Sequence, residues 1–224
     1  MNRSTELHNS GSGPMRTLWW LALGGTLFLS ACAVKRPAVE SADPVAADAE
    51  PVPEGETLDE RFAGVLQLMK TRQYDEAEQR LVALSNEFPQ YSGLHTNLGI
   101  VRAQKKQWNT AAASLSQAVR INASNAVAHN WLGVVYRESG NYPQAREAYE
   151  AAIAAAPDYS AAHLNLGMLL DQYLRQPDAA LQHYQRYRDL GGEDDLRVHV
   201  WMAQIQAAQA QAQQAAAEQE VDVK

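Results

Sequence analysis

The sequence lacks most of the features that carry catalytic or structural chemistry. Cys32 is the only cysteine among 224 residues, so no disulfide can form within the chain. It has no HExxH motif, no GxSxG motif, no phosphate-binding loop and no paired-carboxylate arrangement. Residues 57–192 hold 13 basic and 13 acidic side chains, which leaves no basic surface for nucleic acid. We therefore expect no enzyme, no cofactor, no small-molecule substrate and no nucleic-acid partner.

What the sequence does contain is a repeat of 34 residues. The pattern His-x-x-Leu-Gly occurs three times, at positions 95–99, 129–133 and 163–167. Ala111 and Ala145 follow the first two glycines after twelve residues. A unit of 34 residues is long enough for two helices and a turn, and such a hairpin cannot bury its apolar stripe alone. The small residues predict that the two helices of each unit cross closely, and the units should stack.

The third copy has the most complete motif. Its residues are Leu132, Gly133, Tyr136, Ala145, Tyr149 and Pro157. They resemble the tetratricopeptide repeat consensus, with His129 in place of the usual tryptophan. The resemblance implies an all-α fold, a right-handed superhelical solenoid of about four helix hairpins plus a C-terminal capping helix.

The 34-residue register predicts where each unit lies. We expect repeats at 58–91, 92–125, 126–159 and 160–192, a capping helix at 193–207, and an Ala/Gln-rich tail at 208–224 that frays into solvent. The fourth repeat carries one extra residue, because Ala180 and Tyr184 lie one position late relative to Ala145 and Tyr149. Its turn near residues 173–177 should therefore be distorted.

The N-terminal segment predicts export and lipidation. An apolar run from Leu18 to Leu29 follows Arg16 and has twelve residues, too few for a membrane-spanning helix of roughly 20. The run ends in Leu-Ser-Ala followed by Cys32, which resembles the lipobox of bacterial lipoproteins. The resemblance implies a signal peptide at 1–31 and a mature chain that begins with lipid-modified Cys32, acylated for example with palmitate.

The residue after the cysteine helps to predict the membrane in which the chain is anchored. In that family an aspartate next to the cysteine favours the inner membrane, and here the position is Ala33. The resemblance therefore implies a lipid anchor in the bacterial outer membrane, facing the periplasm. Residues 32–57 are acidic and proline-containing without apolar periodicity, which predicts a disordered tether. Met15 would be a more typical start than Met1, and the mature chain is the same either way.

Two motifs invite a chemical interpretation. Three register-matched histidines suggest a metal site, but equivalent positions on stacked helices lie roughly 8–10 Å or more apart, whereas zinc ligands lie about 2.0–2.1 Å from the ion. We therefore predict that His95, His129 and His163 are half-buried packing residues and that no metal binds. Residues 191–195 superficially resemble the signature of diguanylate cyclases. No strand pattern surrounds them, so we interpret them as a helix C-cap and the start of the next helix.

The family resemblance also implies a binding surface. In tetratricopeptide proteins the first helices of successive repeats line a concave groove. Register places on this groove Phe62, Leu66, Thr96, Asn97, Ile100, Asn130, Trp131, Val134, Arg137, Leu164, Asn165 and Met168. Asparagine amides can pair with both polar groups of a peptide backbone, and the apolar members can contact side chains. For Ile100 and Val134, packing between repeats is an equal alternative.

The groove sequence narrows the ligand class. Chaperone-binding members of the family clamp a C-terminal carboxylate with lysine and arginine, whereas the corresponding positions here hold Thr96, Val127 and Trp131. That ligand class is disfavoured. We predict a non-catalytic periplasmic scaffold that is anchored to the outer membrane through its N-terminal lipid and binds a protein or peptide of the bacterial envelope during complex assembly.

The sequence is also compatible with other functions. A pilotin-like assembly factor for a type IV pilus or a secretion secretin is an alternative, although such pilotins usually have more repeats. An envelope enzyme and a self-associating structural protein are alternatives of another class.

Overall fold

The structure is a computed structural model that describes residues 55–192 and 194–222. Within these ranges the chain forms helices joined by short turns, without strands. The helices are α1 (Leu58–Lys70), α2 (Tyr74–Glu87), α3 (Ser92–Gln104), α4 (Trp108–Ile121), α5 (Ala126–Glu138), α6 (Tyr142–Ala155), α7 (Ser160–Met168), α8 (Pro177–Tyr187) and α9 (Leu196–Asp222). The predicted all-α fold of repeated hairpins is confirmed. The predicted signal peptide, Cys32 and residues 33–54 of the predicted tether lie outside the described residues.

The paired helices cross closely at the repeat glycines. A Cβ atom on Gly99 would lie 2.4 Å from Leu115 Cγ, and one on Gly133 would lie 2.4 Å from Tyr149 Cε1. At Gly167 the corresponding distance, to Tyr184 Cε1, is 2.7 Å. Carbon atoms do not approach so closely without displacement. The glycines are therefore required where the first helix of each of these hairpins meets the second, as the sequence predicts.

The turns inside the hairpins share one backbone geometry. Each contains a residue with positive φ: Arg72 at 62°, Lys106 at 59°, Gly140 at 77° and Arg175 at 56°. In the first three repeats the next amide bonds to the carbonyl five residues earlier, as in Asn141 N to Tyr136 O at 2.8 Å. This is a Schellman-type helix end, which closes the first helix and starts the turn.

The fourth hairpin differs because of its extra residue. A π-helical turn at Leu169–Tyr173 follows α7, and Leu174 N donates to Leu169 O at 3.0 Å. The next turn bond, Gln176 N to Leu170 O, spans six residues instead of five. The extra residue is thus absorbed at the end of the first helix, which explains the distortion that the sequence predicts.

The core is a series of clusters along the array. The first cluster joins α1, α2 and α3 around Leu81 and Val101, and the second joins α3 to α6 around Leu115 and Val135. The third extends from α6 to α9. Such a series is expected when each repeat contacts only its neighbours.

The C-terminal helix caps the array and is longer than predicted. Val198, Met202 and Ile205 pack into the third cluster, so α9 covers the last hairpin as expected. The helix does not end near residue 207, however, but continues to Asp222. Alanine and glutamine are good helix formers, which allows the helix to continue through this segment, and the fraying of its end in solvent stays a prediction. None of the helices in the described ranges combines the length and the apolarity needed to cross a bilayer.

Candidate partner-binding groove

The first helices of the repeats present one apolar side chain each at the same register position. These four residues, which we call the groove row, are Leu66, Ile100, Val134 and Met168, on α1, α3, α5 and α7. Leu66 is 45% exposed, and the other three are half-buried. Among the first helices, α3 contacts α5 and α5 contacts α7 directly. Val134 and Met168 also pack on the third cluster, so they contribute both to the core and to this surface.

The polar residues predicted for the groove are engaged within the protein. Asn130 is only 4% exposed, and its Oδ1 accepts a hydrogen bond from Asn165 Nδ2 at 2.9 Å. Asn97 Nδ2 donates to the carbonyl of Gly93 on its own helix at 2.8 Å. Burial raises the pKa of Tyr159, and a hydrogen bond with Asn130 opposes that rise. The Asn130 and Asn165 amides therefore tie α5 to α7.

A second polar link joins the preceding pair of helices. Asn125 Nδ2 donates to Ser92 Oγ at 2.7 Å and to Thr96 Oγ1 at 2.9 Å, while its Oδ1 caps α5 by accepting from Ala128 N at 3.0 Å. Thr96, expected on the groove surface, is 4% exposed. Thr96 and Asn130 occupy the same register position, so this position faces the next repeat instead of a ligand. Sequence reasoning missed Asn125, although an asparagine directly before a helix is a signal for an N-cap.

The remaining predicted groove residues are half-buried. Trp131 packs on the second cluster, and Leu164 packs on the third. The Arg137 side chain is 13% exposed and pairs through Nη2 with Glu138 Oε1 at 3.1 Å. Its Nε and Nη1 are buried and lack a hydrogen-bond partner among the described residues, as does the Tyr149 hydroxyl. Burial raises the pKa of Tyr149, and the charge of Arg137 opposes that rise.

The three repeat histidines form hydrogen bonds to the loops that connect one repeat to the next. Each Nε2 lies close to the backbone carbonyl six residues earlier: His95 to Pro89 at 3.0 Å, His129 to Ala123 at 2.9 Å, and His163 to Pro157 at 3.0 Å. Because a carbonyl only accepts, Nε2 must carry the proton. The side chains of His95 and His129 are half-buried, and that of His163 is 7% exposed.

A fourth histidine completes this arrangement in the last repeat. His163 Nδ1 lies 3.1 Å from His183 Nδ1 on α8. In the neutral tautomer of His163 that carries its proton on Nε2, Nδ1 can only accept, so His183 Nδ1 is then the donor. Burial and the neighbouring His163 lower the pKa of His183. Across the described residues, no group of three or more His, Cys, Asp or Glu side chains is placed to hold a metal ion.

An ion network joins the first two repeats on another surface. Glu78 of α2 accepts from Arg102 Nε at 2.8 Å and from Lys105 Nζ at 2.8 Å, and Lys105 also pairs with Asp75 at 2.6 Å. Burial opposes ionisation of Glu78, but the bonds from Lys105 and Arg102 outweigh it and hold its pKa below the usual value. Arg102 occupies the register position of Tyr136, so a charged contact replaces an aromatic one here.

The comparisons with known proteins agree with this architecture. Residues 124–192 match a family model described as tetratricopeptide repeat, and residues 99–138 match one described as TPR repeat. No curated protein matches the chain.

Several solved structures are similar to this chain. A MamA protein is 18% identical at a TM-score of 0.59, with 70% of this chain and 84% of that chain covered. The pilF protein of Pseudomonas aeruginosa is 19% identical at a TM-score of 0.62, with 68% and 69% covered. YrrB, a TPR protein with an unusual peptide-binding site, is 20% identical at 0.53, with 62% and 72% covered. At these identities the likeness shows the fold, so the chain has a TPR-type solenoid fold, and residues 99–192 match the tetratricopeptide repeat family models.

Proposed function

We propose that the protein is a non-catalytic interaction scaffold that binds a segment of a partner protein along the groove row. The observation that carries this proposal is the recurrence of an apolar side chain at one register position in all four first helices, with Leu66 45% exposed. Exposed or half-exposed apolar side chains in a continuous line are typical of interaction surfaces. The groove asparagines bond within the array, so affinity comes from apolar contact more than from amide pairing.

The spacing of the row favours an extended ligand. Helices that pack directly, as α3 does with α5 and α5 with α7, have axes roughly 8–10 Å apart, which sets the spacing of Ile100, Val134 and Met168. A chain in the polyproline II conformation returns to the same face every three residues, or about 9.3 Å. We therefore propose a partner segment with apolar side chains at every third position.

A lipid anchor places the scaffold at a membrane in this proposal. The apolar run before Cys32, the Leu-Ser-Ala sequence and the absence of a second cysteine support lipidation of Cys32. The Ala33 that follows favours the outer membrane, with the repeats in the periplasm. Radiolabelled palmitate should enter the wild-type chain but not Cys32→Ser, and the wild type should sediment with outer-membrane markers. A wild-type chain without label would refute the anchor and leave the groove proposal untouched.

Crosslinking from the groove tests the binding surface. A photoreactive residue at Leu66 or Met168 in the native membrane should join the chain to a specific protein, identified by mass spectrometry. The matched control is the same photoreactive residue at Ala212, an exposed position on α9 outside the groove. Leu66→Ser combined with Ile100→Ser should abolish capture from Met168. The groove assignment would be overturned if the control position captured the same protein as strongly as a groove position, or if capture from Met168 survived the double substitution.

A pilotin-like role is one form of this proposal. The likeness to pilF extends over 68% of this chain but rests on 19% identity, so it supports the shared fold. If the partner is a secretin subunit, deletion of the gene should reduce assembled secretin multimers in the outer membrane, and Leu66→Ser with Ile100→Ser should reproduce the deletion.

A further inference from the structure

Helix α9 has two opposite faces in different environments. On one face, Val198, Met202 and Ile205 are buried against the end of the array. On the other, Leu196 and Val200 are exposed by 77% and 52%. Because each residue turns a helix by about 100°, positions 196 and 198 point about 200° apart. The helix therefore carries a second apolar face that the array does not cover.

This outer face continues along the helix as far as Ala217. Its positions alternate between steps of four and three residues and are Leu196, Val200, Ala203, Ala207, Ala210, Gln214 and Ala217. Such heptad spacing is typical of a helix that packs lengthwise against another helix. Beyond Gln209, whose amide donates to Asp178 Oδ1, the helix runs on to Asp222 with exposed side chains at 210–219. An unsupported helical segment of this length is marginal in water, so a partner helix would stabilise it.

The charges beside the outer face indicate the orientation of the partner. Arg197 lies at the start of the helix and Glu218 near its end, and residues 200–217 carry no charge. In an antiparallel pair of two copies, Arg197 of each copy lies near Glu218 of the other, whereas a parallel pair would place like charges together. Arg197 pairs with Asp195 in its own chain but is 71% exposed, so its guanidinium has donors for a second carboxylate. Asp195 itself is 14% exposed and also accepts from Tyr187.

The spacing is self-complementary in the antiparallel orientation. When Ala207 of one copy meets Ala210 of the other, the outer-face positions from Val200 to Ala217 also meet one another. The remaining pairs are Val200 with Ala217 and Ala203 with Gln214. Small side chains then lie at the centre, where they allow close approach, and the larger Val200 lies towards each end. We propose that the outer face of α9 binds the same face of a second copy of this chain as an antiparallel helix pair. The groove is not involved, so this dimer is independent of the proposed function.

Disulfide crosslinking of the full chain in its native membrane tests the proposal. Two differently tagged chains, one with Val200→Cys and the other with Ala217→Cys, are produced together and oxidised. These positions are about 25 Å apart along one helix but opposite each other in the antiparallel pair. We expect a heterodimer that contains both tags. The wild-type chain, which has only Cys32, gives the background, and Ala212→Cys, on another face of the exposed extension, is the matched control.

A second pair of substitutions distinguishes a specific pair of α9 helices from random collisions between chains. Leu196→Glu with Ala207→Glu, at positions exposed in the single chain, should lower the heterodimer yield by at least about tenfold, because charges in a helix seam are poorly tolerated. Circular dichroism should show that the helices of the array stay folded, with any loss of helicity no larger than the exposed extension of α9 can account for. Crosslinks between identical tags only, a yield no higher than that of Ala212→Cys, or a crosslink from Ala217→Cys to Leu66→Cys in the groove of another copy would each overturn the proposal.

Discussion

At the scale of single residues, close packing decides which glycines are required. Gly133 lies against the ring of Tyr149, with 2.4 Å left for a Cβ atom, whereas Gly93 on the exposed start of α3 has no heavy atom within 4 Å. Both are helical, so both weaken their helix relative to alanine. Only the first gains from its small size.

Gly133→Ala should destabilise the protein, while Gly93→Ala should not. Displacing a packed ring costs about 1–3 kcal/mol, and relieving a helical glycine gains up to about 1 kcal/mol. The melting temperature should therefore fall for Gly133→Ala and rise for Gly93→Ala. An unchanged or higher melting temperature for Gly133→Ala would contradict the proposed close crossing.

The histidine pair in the last repeat should make stability depend on pH. Burial lowers the pKa of His183, with His163, Glu150 and Arg146 as its charged or titratable neighbours. The unfolded chain then binds a proton more readily than the folded one. The contribution of neutral His183 to the free energy of unfolding is therefore fully present above about pH 6.5, the pKa in the unfolded chain, and is lost as the pH falls through the lower pKa of the folded chain. The melting temperature should be lower at about pH 5 than at about pH 7.5. His183→Gln should reduce that difference, and an equal difference in the variant would exclude this cause.

At the scale of helices, the sequence predicts paired helices and their ends better than it predicts side-chain partners. The glycine and alanine spacing predicts the hairpins, and the late Ala180 and Tyr184 predict the irregular fourth turn, because both depend on register alone. The roles of Asn130 and Asn165 were not predictable, since an amide at a groove position looks the same whether it faces a ligand or a neighbouring repeat. The extension of α9 beyond residue 207 depends on the helix propensity of alanine and glutamine, which the packing pattern does not reveal.

The two halves of α9 should contribute differently to stability. Val198, Met202 and Ile205 cover the third cluster, which includes Leu170 and Tyr184. A chain ending at residue 192 should lose these contacts, each worth about 1.5–3 kcal/mol. A chain ending at residue 210 keeps them and should unfold near the wild-type temperature when measured at low protein concentration. A large loss in the longer chain would mean that the exposed segment contributes to the fold of the single chain.

At the scale of the whole molecule, the separate clusters predict local unfolding. Because each repeat contacts only its neighbours, damage at one end should not spread evenly along the array. Leu81, fully buried in the first cluster, is a suitable probe. Leu81→Ala should speed amide hydrogen exchange in α1 and α2 well before it changes α7 and α8. Uniform acceleration in all four hairpins would instead indicate one cooperative unit.

The π-helical turn at Leu169–Tyr173 has a consequence for how the array can be lengthened. One added residue shifts α8 out of the 34-residue phase that the first three hairpins share. A tandem duplication of residues 126–159 would reproduce matching ends and could be accommodated in the middle of the stack. A duplication of residues 160–192 would bring a second π-helical turn into the stack, although Tyr184 still packs on Gly167 as Tyr149 does on Gly133. We therefore expect the duplication of residues 126–159 to be tolerated better, because it adds no irregular turn.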